Sequence, residues 1–496
     1  MRKALLLLAS MLLGCAAPHG EAGEVRRTLI VAYGADEFPL ALNRDRLARY
    51  PLNAGVCEPL VRLAPDFTVA PALATRWEAR SANMMRFILR PGLLFSDGSR
   101  LDAHAVAFTL GGAARAHTDY SFLSDSSVRV VDDTTLDIMP TRVNRRLVEQ
   151  LVHPTSSVVS PRSDPTRHPV CTGAFRLVEY TPHSHLTVVR NERYRGTAAR
   201  MDTIVFRFIP DETTRVLALR GGEVDAIADV RPATAASLAS VPGVQVSTAP
   251  PGAVLVMYIN LQGDAPFAQM RDPALRRAVA MAIDRRLLVA RVLGGGAEAM
   301  VNTVNPPGVL GRYASVVQGV AVDTSAAQRV VGEHRRTVRL IANPGAVDRA
   351  VVEYVQAQLR VAGIDVTTEQ LDAAAYETRL NSGAFDLDLE VPSQNDANPS
   401  FLLALRWYSR SNTKSVRFTH ASAQFDSLVD QALMAPTDDD ARRSAADAMH
   451  QLVDVEVAAV PLAGVSRIYA MRDRVRGFVP HPSRLNQDWS TVWLAR

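Results

Sequence analysis

The sequence predicts an α/β chain folded as two or more packed lobes. At 496 residues it is longer than a single hydrophobic core usually supports. Hydrophobic residues make up 47% and charged residues 21%, the balance of an ordinary soluble globular protein. Short apolar, β-branched runs alternate with helix-patterned segments along most of the length, as they do in α/β lobes.

The first residues are set apart from that pattern. Arg2 and Lys3 form a positive start and residues 4–13 an apolar stretch too short to span a bilayer. Leu12-Leu13-Gly14-Cys15 resembles a lipobox, which implies removal of residues 1–14, lipidation of Cys15 and a polar tether over residues 15–27. More than one acyl chain would hold such a protein firmly on a membrane. An ordinary secretory signal is the alternative reading.

Residues 28–33 read as a first strand. Residues 70–77 read as a short apolar helix and 86–89 as a strand. A tight turn follows at Asp97-Gly98, then a helix over 103–110 with Asp102 as N-cap. Residues 132–139 alternate as a strand and 146–152 as an apolar helix, before a proline-rich loop. Residues 175–180 and 185–190 form a hairpin around Thr181-Pro182-His183-Ser184, and 203–209 is a strand. Asp211 then caps a helix that stops at Gly221-Gly222. Residues 254–260 are a strand. Asp272-Pro273 opens a helix that Gly294-Gly295-Gly296 ends. The helix over 347–362 stops at Gly363, before strands at 364–369 and 385–391.

These blocks carry a resemblance. Glu58-Pro59-Leu60-Val61, Pro71-Ala72-Leu73-Ala74, Trp77, the run from Phe87 to Gly92 and Phe95-Ser96-Asp97-Gly98 resemble the opening of the family 5 extracytoplasmic solute-binding proteins, receptors of ABC importers for peptides, nickel and opine-like solutes. Thr172-Gly173-Ala174-Phe175, Arg190-Asn191, Tyr194, Ala218 to Asp225, Ile283-Asp284-Arg285 and Gly363-Ile364-Asp365-Val366 extend it in the same order. The resemblance implies a two-lobe periplasmic-binding-protein fold of type II, with an extra subdomain in lobe I. Lobe I would take residues 28–255 and 469–496, and lobe II residues 256–468. The first crossing would fall near 250–260 and the second near 463–474.

It also implies a ligand cleft. Residues 393–408 would enter it from lobe II. Peptide-binding members carry an aspartate four residues before the family's proline. Counting back from Pro399 gives Asn395, with Asp396 one residue on. Nickel-binding members have aromatics six and two residues before it, where this chain has Ser393 and Ala397. Asp396 is therefore open between a ligand contact and a turn or helix-cap residue, and Trp407 between site and core. From lobe I, Asp36 and Phe38 would turn into the cleft. Of Met257 and Tyr258, adjacent on the interlobe strand, one should face it. Cys57 stands where the family has an aromatic and Cys171 where it has a glycine, so the two can form a coordinated disulfide outside the cytoplasm. Two buried free thiols are the alternative.

Charge and motifs narrow the function. Net charge is +4, Lys3 and Lys414 are the only lysines, and the arginines are scattered among acids without a basic run, so nucleic acid is not an expected partner. Catalytic motifs with structural context are missing, and His183-Ser184-His185 falls in a predicted turn, so neither catalytic residues, metal ligands nor a cofactor are expected. The expected protein is a monomeric, extracytoplasmic receptor that passes a small solute, a peptide first, to ABC permease subunits. A receptor for a nickel chelate or an opine-like solute, and a secreted hydrolase, are the alternatives.

Overall fold

The computed structural model describes residues 27–34, 55–116, 123–124, 126–141, 143–153, 156–163, 169–294, 297–298, 302–333, 335–344, 346–411, 413 and 416–495. Cys15, Asp36 and Phe38 lie outside them. The chain opens with β1 (Thr28–Tyr33). A subdomain follows, of β2 (Val61–Leu63), β3 (Val69–Pro71), β4 (Ala74–Ser81), β5 (Met84–Leu89), α1 (Ala103–Ala116), β6 (Val128–Asp132), β7 (Thr135–Ile138) and α2 (Leu147–Gln150). Next come β8 (Phe175–Thr181), β9 (His185–Arg190), β10 (Thr203–Phe208), α3 (Glu212–Gly221), β11 (Ala226–Ile227), α4 (Pro232–Leu238) and β12 (Val244–Thr248). The second lobe holds β13 (Ala253–Ile259), α5 (Pro273–Ala282), β14 (Ala297–Glu298), β15 (Arg336–Ala342), α6 (Arg349–Val361), β16 (Ile364–Thr368), α7 (Ala373–Ser382), β17 (Leu387–Glu390), α8 (Phe401–Arg406), α9 (Asp438–His450) and β18 (Ala459–Val465). The chain then returns to the first lobe with β19 (Ile468–Arg472).

Each lobe is organised by one sheet. The first has the order β12-β19-β11-β1-β10-β9-β8 and the second β14-β18-β13-β17-β15-β16. In the first, β1 runs parallel to both β10 and β11. In the second, β15 runs parallel to both β16 and β17. The subdomain has its own sheet, β4-β5-β7-β6, and its own core, in which Ala103, Val106 and Leu110 of α1 pack with Phe87, Leu89 and Leu136.

Two short connections join the lobes, residues 249–252 and 466–467, and they lie side by side. Ala249 N donates to the Arg467 carbonyl (2.9 Å) and Gly252 N to that of Val465 (3.2 Å). A Cβ on Gly252 would sit 1.8 Å from the Pro482 carbonyl oxygen, so only glycine fits where this strap passes the C-terminal segment.

Several expectations hold locally. Asp211, Asp272 and Asp102 accept from Thr214 N, Ala274 N and Ala105 N as caps, and Gly222 takes the left-handed conformation at the end of α3. Others fail. Residues 70–77 form β3 and β4 rather than a helix. Val61 pairs with Pro71, and Trp77 with Phe87, so cross-strand pairing overrides the helical preference of an Ala- and Leu-rich run. The strand expected at 132–139 starts only at Thr135, as β7, after a turn in which Asp132 Oδ1 accepts from Thr134 N (2.8 Å). The long helix expected to end at Gly294 stops at Ala282, because Asp284 caps a new turn by accepting from Leu287 N (2.9 Å).

Candidate functional site

The parallel strands point their carboxyl ends toward the gap between the lobes, where α/β sheets place ligands. Gly34 follows β1, Pro210 follows β10, and Asp229 to Pro232 follow β11. Across the gap, residues 346–348 follow β15, and Val391 and Ser393 follow β17. Together with the straps at Gly252 and Ser466 they enclose a cavity of about 460 Å³, a size suited to a small ligand.

Its walls are rich in guanidinium groups. Arg215, Arg231, Arg467 and Arg484 line it against the carboxylates of Asp229 and Asp348. Arg215 reaches back from α3 and is 4% exposed. Its Nη1 donates to the carbonyls of Ile209 (2.7 Å) and Pro210 (3.0 Å) and its Nη2 to that of Asp229 (3.4 Å). Its Nε is buried without a hydrogen-bond partner. Burial holds its pKa below the ordinary arginine value. Arg467 grips Asp229 Oδ1 through Nη2 (2.7 Å) and Nε (3.0 Å). Arg231 of lobe I stands 3.4 Å from Glu212 and 3.7 Å from Asp348 of lobe II, an ion pair across the mouth.

A second seam lies where the subdomain meets lobe II. Arg146 Nη1 donates to Glu149 (2.7 Å) and to Asp438 (2.9 Å), and its Nη2 to the Ala435 carbonyl (3.0 Å). Beside it is a cavity of about 340 Å³ that also touches Trp77, Met85 and Ala397. Burial raises the Glu149 carboxyl to about 7 against the pull of Arg146.

Of the expected site residues that are described, Met257, Tyr258, Asn395, Asp396 and Trp407 do not line the cavity. Met257 and Tyr258 are both buried and neither lines the cavity, which β13 meets nearer its start, at Ala253 and Leu255. Trp407 is also buried and stacks on Tyr258 with ring centroids 4.8 Å apart, which makes it a core residue. Below them, Tyr376 Oη lies 2.7 Å from Glu390 and 3.1 Å from Asp388, and Arg406 lies 3.1 Å from Glu390. Burial and then Glu390 push the Asp388 carboxyl well above its usual range. Asp396 is buried and accepts from Asn398 N, closing a turn. It does not line the cleft cavity, whereas Asn395 meets Ser483 of the first lobe (3.4 Å). Cys57 and Cys171 are joined as a disulfide, Cα atoms 4.8 Å apart. Sequence reading missed the arginines, which come from α3 (Arg215), the cap of α4 (Arg231), a strap between the lobes (Arg467) and the C-terminal segment (Arg484) and share no local spacing.

Comparison with known proteins places the chain. Residues 68–414 match the model of the bacterial extracellular solute-binding proteins, family 5. The chain is similar to the probable D,D-dipeptide-binding periplasmic protein DdpA of Escherichia coli (strain K12). The two are 24% identical over 436 residues, covering 83% of this chain and 82% of the relative. Among solved structures, NikA from Brucella suis in complex with Fe(III)-EDTA has a TM-score of 0.81 at 22% identity, covering 94% of this chain and all of that one. The periplasmic binding protein DppA from Helicobacter pylori in complex with peptide STSA has a TM-score of 0.77 at 21% identity, covering 95% and 99%. Both share the two-lobe fold.

Proposed function

The chain belongs to the bacterial extracellular solute-binding proteins of family 5, and we propose that it captures a small solute between its lobes and delivers it to an ABC importer. The observation that carries the reading is the cavity at the carboxyl ends of the parallel strands of both sheets, spanned by the two short straps at 249–252 and 466–467. Such straps allow hinge closure, in which a ligand touching both lobes favours the closed form. The shift is limited to the ligand's differential affinity for the closed state.

A peptide is the first candidate, supported by relatives named for dipeptides. An opine-like solute is the second reading, and the arginine-lined walls favour it because such solutes are rich in carboxylate. The relatives are binding proteins rather than enzymes, and a hydrolase draws no support from them. Among the described residues no helix is long and apolar enough to cross a membrane. Lipidation at Cys15 would keep the receptor at the cell envelope. Fractionation after Cys15→Ala tests the anchor: the variant should leave the membrane fraction, and retention there would remove the lipid.

Native mass spectrometry of protein purified without refolding tests the function. A co-purified small molecule, lost on unfolding and rebound on refolding, is the expected result. Solute-free protein that binds nothing on exposure to its host's growth medium would overturn it.

A further inference from the structure

We propose that Gln394 is a positioning residue for solute capture. Its side-chain amide shapes the lobe II loop over residues 393–400, and the contacts of that loop with lobe I hold the lobes closed over the solute. The inference rests on the receptor reading and names the residue that links the cleft wall to closure.

The place of the loop is the first observation. Ser393 lines the cleft cavity, whereas Ala397 and Pro399 line the cavity beside the second seam. The loop is therefore a partition between the two. It also reaches lobe I at three points. Gln394 N donates to the Gly252 carbonyl of the first strap (3.2 Å), and Ala397 N to the Glu149 carbonyl of the subdomain (3.4 Å). Between them, Asn395 Oδ1 accepts from Ser483 Oγ of the C-terminal segment (3.4 Å). Strap, C-terminal segment and subdomain are thus met by one short run of lobe II chain.

The inner side of the loop is the second observation. Gln394 and Asn305 are both fully buried. Gln394 Nε2 donates to the carbonyls of Asp396 (2.7 Å) and Asn398 (3.0 Å), and its Oε1 accepts from Asn305 Nδ2 (3.3 Å). Asn305 Nδ2 also donates to the Pro399 carbonyl (3.0 Å). One carboxamide therefore uses both its donor hydrogens and its acceptor, and gathers the loop carbonyls inward while the amides of Gln394 and Ala397 meet lobe I. An apolar side chain at this position would strand two buried carbonyls. The loop would relax and no longer meet lobe I at the same points. A solute is held by what the closed form gains over the open one, so it would escape sooner. Its first encounter is with the open form, so its arrival would be little changed.

Native mass spectrometry tests this, with the mass that wild-type protein captures from its host's growth medium as the probe. Loss of that mass after dilution gives koff, and its uptake by stripped protein gives kon. Gln394→Met, close in length, should raise koff at least five-fold and leave kon within two-fold. Asn305→Ala should act in the same direction, and it carries the test if Gln394→Met fails to fold. Asn260→Ala is the control. Asn260 is as buried as Gln394, donates to the carbonyls of Gly383 (3.1 Å) and Phe385 (2.7 Å), and lines neither cavity. That variant should keep the wild-type koff, because lost stability lowers the number of folded molecules and not the rate at which each releases solute. A smaller rise in Gln394→Met, or an equal one in Asn260→Ala, would overturn the inference and leave the receptor reading standing. Wild-type protein that captures no mass would overturn both.

Discussion

Among the described residues, two ion pairs that cross between the lobes are built differently. In the far seam, Arg146 is 4% exposed at its side chain and satisfies Glu149, Asp438 and a backbone carbonyl together. At the mouth of the cleft, Arg231 and Asp348 are 65% and 56% exposed and stand 3.7 Å apart. A desolvated, multiply bonded guanidinium fixes geometry, because removing it strands its partners. A hydrated pair at the rim gains little net energy and exchanges partners readily. The far seam is therefore suited to holding the lobes in register, and the mouth to yielding its arginine to an incoming solute.

The contrast breaks first at Arg146. Arg146→Met keeps the volume but leaves Glu149 buried without its cation. Urea denaturation should show a loss of about 3 kcal/mol, at the low end for a broken buried pair because Asp438 is largely exposed and Glu149 can take up a proton. A loss within about 0.5 kcal/mol, as for an ordinary surface position, would erase the distinction between the seams.

The pH dependence of Glu149 sharpens it. Burial raises this carboxyl from 4.5 to about 7, so the folded protein binds more protons than the unfolded chain between those values. Its contribution is fully present below about pH 4.5 and is lost as pH rises toward 7. Glu58, also raised to about 7 by burial, acts in the same direction. Glu149→Gln should flatten the decline in stability between pH 5 and 7 by on the order of 1–2 kcal/mol. An unchanged slope in that variant would mean that Glu149 is ionised in the folded state.

The mouth should respond least in the absence of solute. Arg231→Gln should change stability by less than about 1 kcal/mol, and raising the salt concentration should shrink even that difference. A penalty as large as that of Arg146→Met would show that the mouth, too, is a structural clasp.

Much of the fold was legible in local chemistry. β1, β9, β10 and β13 are β-branched runs, and Asp211, Asp272 and Asp102 cap helices where their side chains suggest. The failures have physical causes. Residues 70–77 read as a helix by composition, but β4 finds its partner in β5. Asp284 restarts a helix that apolar periodicity would have continued. For the site, alternation along β13 promised one cleft-facing residue, and that rule presumes a sheet with one open face. Met257 and Tyr258 are both buried, and β13 meets the cavity nearer its start, at Ala253 and Leu255. The guanidinium lining was illegible because Arg215, Arg231, Arg467 and Arg484 meet only through topology.

Solute-dependent closure can be measured most directly by small-angle X-ray scattering on one preparation, first stripped of its co-purified solute and then reloaded with it. Two lobes hinged on residues 249–252 and 466–467 should give a larger radius of gyration when empty and contract on reloading. Arg146→Met should leave the empty protein at least as open as the wild type. Identical scattering from empty and fully loaded protein would contradict capture by hinge closure.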